Sequence, residues 1–210
     1  MDLYYNILST PCQSVLLVAK KLGINLNLKR INLRNPVEKE ALSKLNPQAV
    51  IPTLVDNGHV VWESYAIVFY LMEKYGKDDT LYPKDPNVRS VVNQRLFFDI
   101  GTLYRNLLFV VILVFKKEQP SNEQMEKLKK AIDLLEGFVT ERSYAAADHL
   151  TVADIFLLGT VTAFNWLKYD LEPYPHIREW VSRVTTELPD YAEFRKELDK
   201  GTKAYFSSRM

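Results

Sequence analysis

Every segment of this chain with clear strand character lies before residue 63, and none follows the proline-punctuated stretch Leu81-Tyr82-Pro83-Lys84-Asp85-Pro86. That asymmetry demands two kinds of packing, a small sheet covered by helices and then helices packed on helices. Leu3-Tyr4-Tyr5 is a short apolar run suited to a buried strand. Ser9-Thr10-Pro11 opens a helix with a hydroxyl and a first-turn proline, carried by Val15, Leu16, Val18, Ala19 and Leu22 and ended by Gly23. Residues 26–33 alternate without Gly or Pro and predict a second strand. Asn35-Pro36 starts a short polar helix ending near Leu45. Asp56-Asn57-Gly58 turns between two β-rich runs, and Glu63-Ser64 begins a helix through Tyr75 that Gly76 stops. The order β-α-β-α-β-β-α joins a crossover pair to a closing hairpin, giving a small mixed sheet with helices on both faces.

Beyond the prolines the pattern is helical throughout. Helices are expected from Val88 to about Lys117 with a bend near Gly101, over Ser121–Thr140, from Thr151, over Pro175–Glu187 and over Asp190–Lys200. The expected boundaries are residues 1–80 for the sheet domain, 81–87 for the linker and 88–210 for the helical domain.

Composition narrows the chemistry. The net charge is +1 with no basic run, which argues against a nucleic-acid footprint. A lone cysteine, Cys12, excludes a disulfide framework, and three scattered histidines lack metal-ligand spacing, so no metal or bound cofactor is expected. The N-terminus shows no signal peptide. The most apolar run, Leu107 to Phe115, falls short of the ~20 residues of a membrane span. A cytoplasmic protein is expected.

Four places carry candidate chemistry. Ser9, at a helix start, either caps that helix or donates to a thiolate held outside it, where amide N–H groups and the helix dipole favour negative charge. Ser9-x-x-Cys12 is a Cys-x-x-Cys pattern with serine first, unable to form a mixed disulfide at that position. Ile51-Pro52, entering a strand, is either a cis bond whose backbone meets a bound peptide or an ordinary edge proline. Glu63-Ser64 is either a cap or a site for the ammonium and carboxylate of a ligand. Tyr104, Leu108, Ile112 and Phe115 are core by default, or the wall of an apolar pocket. A fifth pattern, Thr151-x-x-Asp154, is a capping box and is assigned to folding.

Together these residues resemble the cytosolic glutathione transferases, most closely the insect delta class. The resemblance rests on Ser9-Thr10-Pro11-Cys12, Leu45-Asn46-Pro47-Gln48, Ile51 through Gly58, Trp62-Glu63-Ser64, Glu73-Lys74-Tyr75-Gly76, Leu81-Tyr82-Pro83, Asn93-Gln94-Arg95-Leu96 and Leu150 through Asp154. Its order and spacing run essentially the whole chain. It implies a thioredoxin-like domain with a mixed four-stranded sheet, an all-helical second domain, a homodimer, and glutathione as co-substrate in detoxification chemistry. Ser9 would be catalytic, favouring the thiolate. Val50, Ile51 and Pro52 would meet the cysteine of the tripeptide, Glu63 and Ser64 would hold its γ-glutamyl end, and Tyr65 would line the glutathione site at the glycine end, where it offers no positive charge. Asp99 would reach across the dimer toward that end. Tyr104, Leu108, Ile112 and Phe115 would hold an apolar electrophile.

The sequence also departs from that family. Two positions that carry His there are Val37 and Ala49 here, and two that carry Arg are Gln13 and Tyr65. Each lost charge-assisted bond to the glycine carboxylate costs about 1.5–3 kcal/mol, so two would weaken binding by roughly two to four decades. Arg34, Lys39 and Gln48 are the residues available to substitute. A hydrophobic-ligand carrier on a transferase scaffold is therefore the alternative to a working transferase, and a purely structural role has no feature in its favour.

Overall fold

The computed structural model describes residues 1–207. Four strands, β1 (Asp2–Tyr5), β2 (Asn27–Arg30), β3 (Thr53–Asp56) and β4 (His59–Trp62), form one sheet in the order β2-β1-β3-β4. β1 runs parallel to β2 and antiparallel to β3, and β3 pairs antiparallel with β4. This is the mixed four-stranded sheet expected. Asn57 and Gly58 take φ of 50° and 84°, the left-handed pair a two-residue hairpin turn requires.

The chain divides into two compact units. Residues 1–77 and the described residues from 188 onward form one, and residues 78–187 the other. The last helix therefore groups with the sheet, whereas the sequence reading placed it with the helical domain.

In the first unit, helices α1 (Thr10–Lys21), α2 (Pro36–Ser43), α3 (Ser64–Tyr75) and α9 (Tyr191–Ser207) accompany the sheet. α1 ends as its sequence predicts: Gly23, at φ 72°, donates to Lys20 O and Ile24 to Ala19 O, closing the last turn. Asn35 caps α2 by accepting from the Val37 amide at 3.0 Å. Asp56, at the buried end of β3, gathers Lys74 Nζ at 2.8 Å, the Tyr70 hydroxyl at 2.7 Å and the Tyr75 hydroxyl, all from α3. The hydrogen bond from Lys74, then those from the two tyrosines, hold the Asp56 carboxyl well below the usual carboxylate range.

The second unit contains α4 (Pro86–Phe98), α5 (Tyr104–Phe115), α6 (Asn122–Glu141), α7 (Val152–Ala163) and α8 (Pro175–Glu187). The bend expected near Gly101 is a π-turn over Asp99–Leu103, closed by the Tyr104 amide on Asp99 O. Taken as one run, Pro86–Phe115 is long and apolar enough to cross a membrane, with a mean hydropathy of 1.7 in its best window. It packs on α6 and α7 through buried Val92, Leu96, Leu103 and Leu107, as the central helix of a helical domain does.

Asp154 organises this unit. Fully buried, its carboxylate accepts from the amides of Ala145 and Thr151, the Thr151 hydroxyl and the Trp180 indole, all within 2.9 Å. One side chain thereby fixes the start of α7, the segment before it and Trp180, the largest fully buried side chain among the described residues. The folding role expected for Thr151-x-x-Asp154 is what this geometry performs.

Two outcomes follow from these carboxylates. Asp154→Ala strands several buried donors at once and will lower unfolding free energy by at least ~3 kcal/mol, seen as a reduced urea midpoint at unchanged slope. Asp56 has a depressed native pKa, so its contribution is full above the unfolded carboxyl's value of about 3.9 and is lost as pH falls toward the native one. Thermal unfolding of wild type and Asp56→Asn will differ most above pH 4, and the gap will narrow as the solution is acidified.

Candidate active site

The register of the sheet collects the candidate residues of the first unit at one edge. Tyr5 at the end of β1 pairs with Arg30 at the end of β2, Tyr4 with Thr53 at the start of β3, and Thr53 with Trp62 at the end of β4. The segments 6–9, 31–35, 50–52 and 63–64 therefore all leave or enter the sheet on the same side. The carboxyl ends of a parallel pair are the usual place for a ligand in such sheets.

Ser9 occupies the cap position of α1 with φ −83° and ψ 114°, and its side chain makes no capping bond. Its backbone does the local work instead, donating to Asn6 O at 3.0 Å and accepting from the Gln13 amide at 3.0 Å. The hydroxyl stands at a helix N-terminus beside the Cys12 thiol, where it can donate to an anion. Cys12, one turn later, is fully buried, and burial pushes its thiol up to about 11, with hydrogen bonds from Ser9 and the Asn6 backbone pulling the other way. Of the Ser-x-x-Cys pair, the serine is thus the member available to a ligand.

The loop before Ser9 is held from two sides. The Asn6 amide nitrogen donates to Ile31 O at 3.1 Å while its oxygen accepts from the Leu8 amide. Gln13, only 3% exposed, donates to Ile7 O at 2.9 Å. The Gln13 side chain thus makes a structural tie within this loop.

The Ile51–Pro52 bond is cis, so of the two readings open from sequence the cis one holds. Val50 is exposed, Ile51 half-buried and Pro52 buried. The loop before them hangs on Asn46, a member of the Leu45-Asn46-Pro47-Gln48 motif whose local pattern names no partner. Completely buried, Asn46 donates to Val50 O at 3.2 Å and to Thr53 Oγ1 at 3.0 Å, and accepts from the Gln48 amide at 2.9 Å. Thr53 in turn donates to Val50 O at 2.8 Å. The one sequence signal for this clamp is Asn46-Pro47, an Asx-turn start.

Glu63 sits before α3 with φ 66° and ψ 114° and caps nothing. A non-glycine residue in this region costs of order 1–3 kcal/mol and tends to mark functional sites. Ser64 follows as the first helical residue, 6% exposed, and Tyr65 is half-buried. The first amides of a helix have no intrahelical partner, so this is a second anion-favouring terminus on the same sheet edge.

In the second unit, Tyr104, Leu108, Ile112 and Phe115 recur at helical spacing along α5, with Leu108 38% and Ile112 43% exposed. Phe115 packs edge-on against Trp166 at 5.5 Å, an aromatic neighbour the sequence reading did not single out. Nothing in the local pattern marks Trp166, because it lies in a short 3-10 turn after α7. Asp99 is not placed as the resemblance implies. It is 2% exposed inside the π-turn and accepts from the Thr160 hydroxyl at 2.7 Å, so its carboxylate is turned into its own unit and away from any surface.

Residues 3–73 match the family of the glutathione S-transferase N-terminal domain and residues 65–187 that of its C-terminal domain, with residues 188–210 beyond both. Glutathione S-transferase 1-6 from Anopheles dirus species B is 72% identical and superposes with a TM-score of 0.97, over 99% of this chain and 100% of that one. A Nilaparvata lugens delta-class glutathione transferase is 41% identical with a TM-score of 0.92, over 100% and 99%. An epsilon-class glutathione S-transferase from the housefly Musca domestica is 35% identical with a TM-score of 0.87, over 99% and 97%. The chain belongs to the glutathione transferases, among the insect delta- and epsilon-like members of that family, and its reaction is conjugation of the glutathione thiolate to electrophiles.

Proposed function

We propose that this transferase works through Ser9, and that the loops at the Ser9 edge of the sheet hold glutathione as an extended peptide. The observation that carries the proposal is that Ser9 stands at the N-terminus of α1 with its hydroxyl unused by the cap. A thiol of ordinary pKa, about 8.5, is mostly protonated at neutral pH. A donated hydrogen bond and the positive end of α1 favour its thiolate, which attacks an electrophilic carbon. The main chain of Val50 and Ile51 meets the cysteine of the tripeptide, as an added strand would. Glu63 takes the γ-glutamyl ammonium group, and the amides of Ser64 and Tyr65 take the adjoining carboxylate.

The apolar stripe Tyr104, Leu108, Ile112 and Phe115 is the surface proposed for the hydrophobic electrophile. Burial of part of such a substrate supplies binding at about 25 cal/mol per Å² and demands no particular functional group. A broad substrate range is the consequence. Holding thiolate and electrophile together then supplies much of the rate. The carrier reading draws on the missing cations and the apolar run Leu107 to Phe115, but the cations concern affinity for glutathione and not the thiolate chemistry, and an apolar surface serves a transferase's electrophile equally well. Asp99 is left out of the glutathione site in this proposal.

The chain is proposed to act as a homodimer in the cytoplasm. Phe97 is 70% exposed, Leu134 50% and Ile100 43%, a set of large apolar side chains on α4, α6 and the π-turn that association would cover. A single thiol, buried and unpaired in a disulfide, suits a reducing compartment.

Ser9→Ala will lower kcat/KM for a model electrophile by at least tenfold and raise the apparent pKa of its pH–rate profile; a profile with unchanged pKa removes Ser9 from the mechanism. Phe97→Asp, at an exposed position, will leave the thermal midpoint of the monomer fold intact and shift the light-scattering mass from dimer toward monomer; a variant still fully dimeric at micromolar concentration places the interface elsewhere.

A further inference from the structure

Glutathione carries two carboxylates, and the site as built so far pairs only one. The γ-glutamyl end has Glu63, Ser64 and the α3 terminus, on the β4 side of the sheet edge. The glycine carboxylate lies at the other end of the tripeptide, and nothing yet described there carries positive charge. Val37 is 74% exposed without a donor, and Ala49 is 7% exposed in a left-handed turn.

The strand order supplies the direction. From β4 through β3 and β1 to β2 the edge spans about 14 Å at the usual strand spacing. An extended tripeptide covers about 10 Å of it. With the γ-glutamyl group at β4 and the thiol at Ser9, after β1, the glycine end points toward the loop that follows β2. That loop is tightly tied: the Asn32 amide donates to Glu38 Oε2 at 2.8 Å, the Arg34 amide to Asn32 Oδ1 at 3.1 Å and the Asn35 amide to Asn32 O at 2.9 Å. Arg34 is exposed on it and forms no ion pair among the described residues. Its guanidinium instead donates to the Tyr205 hydroxyl at 3.0 Å and lies 5.6 Å from the centre of that ring.

Tyr205 belongs to α9, and the same face of α9 touches the loop before Ser9. Gly201, one turn earlier, lies so close to Ile7 that a Cβ there would stand 3.1 Å from the isoleucine Cγ2. Close approach at Gly201 thus sets the height at which Tyr205 meets Arg34.

We propose that Arg34, positioned by Tyr205, is the cation that binds the glycine carboxylate of glutathione in this protein. The inference rests on the Ser9-centred reading above. A guanidinium has five N–H donors in a planar fork, and the single bond to Tyr205 leaves a free edge for both carboxylate oxygens. Lys39 lies one turn into α2 with no side-chain partner among the described residues, and it would have to give up its rotamer freedom on binding. Arg34 is already held, which lowers that cost. Glutathione then bridges the sheet edge to the last helix, so its binding also secures α9.

Calorimetric titrations with glutathione and with its glycine amide test this on the full-length protein. Arg34→Ala should weaken glutathione about ten- to hundredfold and leave the amide almost unchanged. Tyr205→Phe keeps the ring but loses the hydroxyl, and should raise KM for glutathione severalfold while kcat at saturating glutathione stays constant. Lys39→Ala should alter neither ligand. Wild-type binding that Arg34→Ala leaves untouched, or weakens equally for acid and amide, overturns the assignment and spares the Ser9 reading. A loss with Lys39→Ala in place of Arg34→Ala overturns it as well. A wild-type protein that binds neither ligand overturns the Ser9 reading and this assignment together.

Discussion

The pairing of β1 is the constraint on which the first unit depends. Its four residues are parallel to β2 on one side and antiparallel to β3 on the other. That mixed pairing, with the β3–β4 hairpin, brings the loops that carry Ser9, Arg34, Ile51 and Glu63 to one edge. Chain direction does the work: two loops leave strands there, one enters a strand there, and the last leaves β4 beside it. A register slip of one residue would turn Leu3 and Leu54, both fully buried, to the opposite face. The position of Ser9 relative to Ile51 is thereby tied to the burial of apolar side chains some residues away.

Much of this was legible in the sequence because the signals are local. Gly23 and the Asn57-Gly58 pair fulfil backbone needs that few other residues meet, and the structure shows the positive φ at each. Pro175 to Glu187 forms the helix its pattern describes, to the residue. Ser9 needed the fold, since a serine before a helix is usually a cap and only the geometry shows that this hydroxyl is not one. Asp99 misled for a different reason. Its placement came from the resemblance alone, and no local pattern reports that its carboxylate is buried and accepts from Thr160, 61 residues away. Asn46 and the Arg34–Tyr205 contact were not legible either. The first has partners four and seven residues away, the second one 171 residues away, and no periodicity reports such contacts.

The two units solve the problem of buried polar groups alike, with one carboxylate at a junction of several elements. Asp56 collects donors from three positions of α3, and Asp154 collects them from the segment before α7, its cap and α8. Among the described residues no buried side-chain nitrogen or oxygen lacks a partner. Polar residues in these cores therefore specify geometry at little cost. The apolar surface is unevenly spent: α7 is buried almost along its length, while α5 leaves Leu108, Phe109, Ile112 and Val114 in the open.

The unit that holds the sheet is assembled from two stretches of the chain, residues 1–77 and the described residues from 188 onward, and the unit of residues 78–187 is continuous in sequence. On the ribosome, domains generally fold as their residues emerge, the amino-terminal one first. Here that order is reversed at the finish. The central unit has its whole complement of contacts once Glu187 has left the ribosome, while the first waits for the final helix to settle at Ile7. The nascent chain thus completes its helical half before the half that holds the sheet.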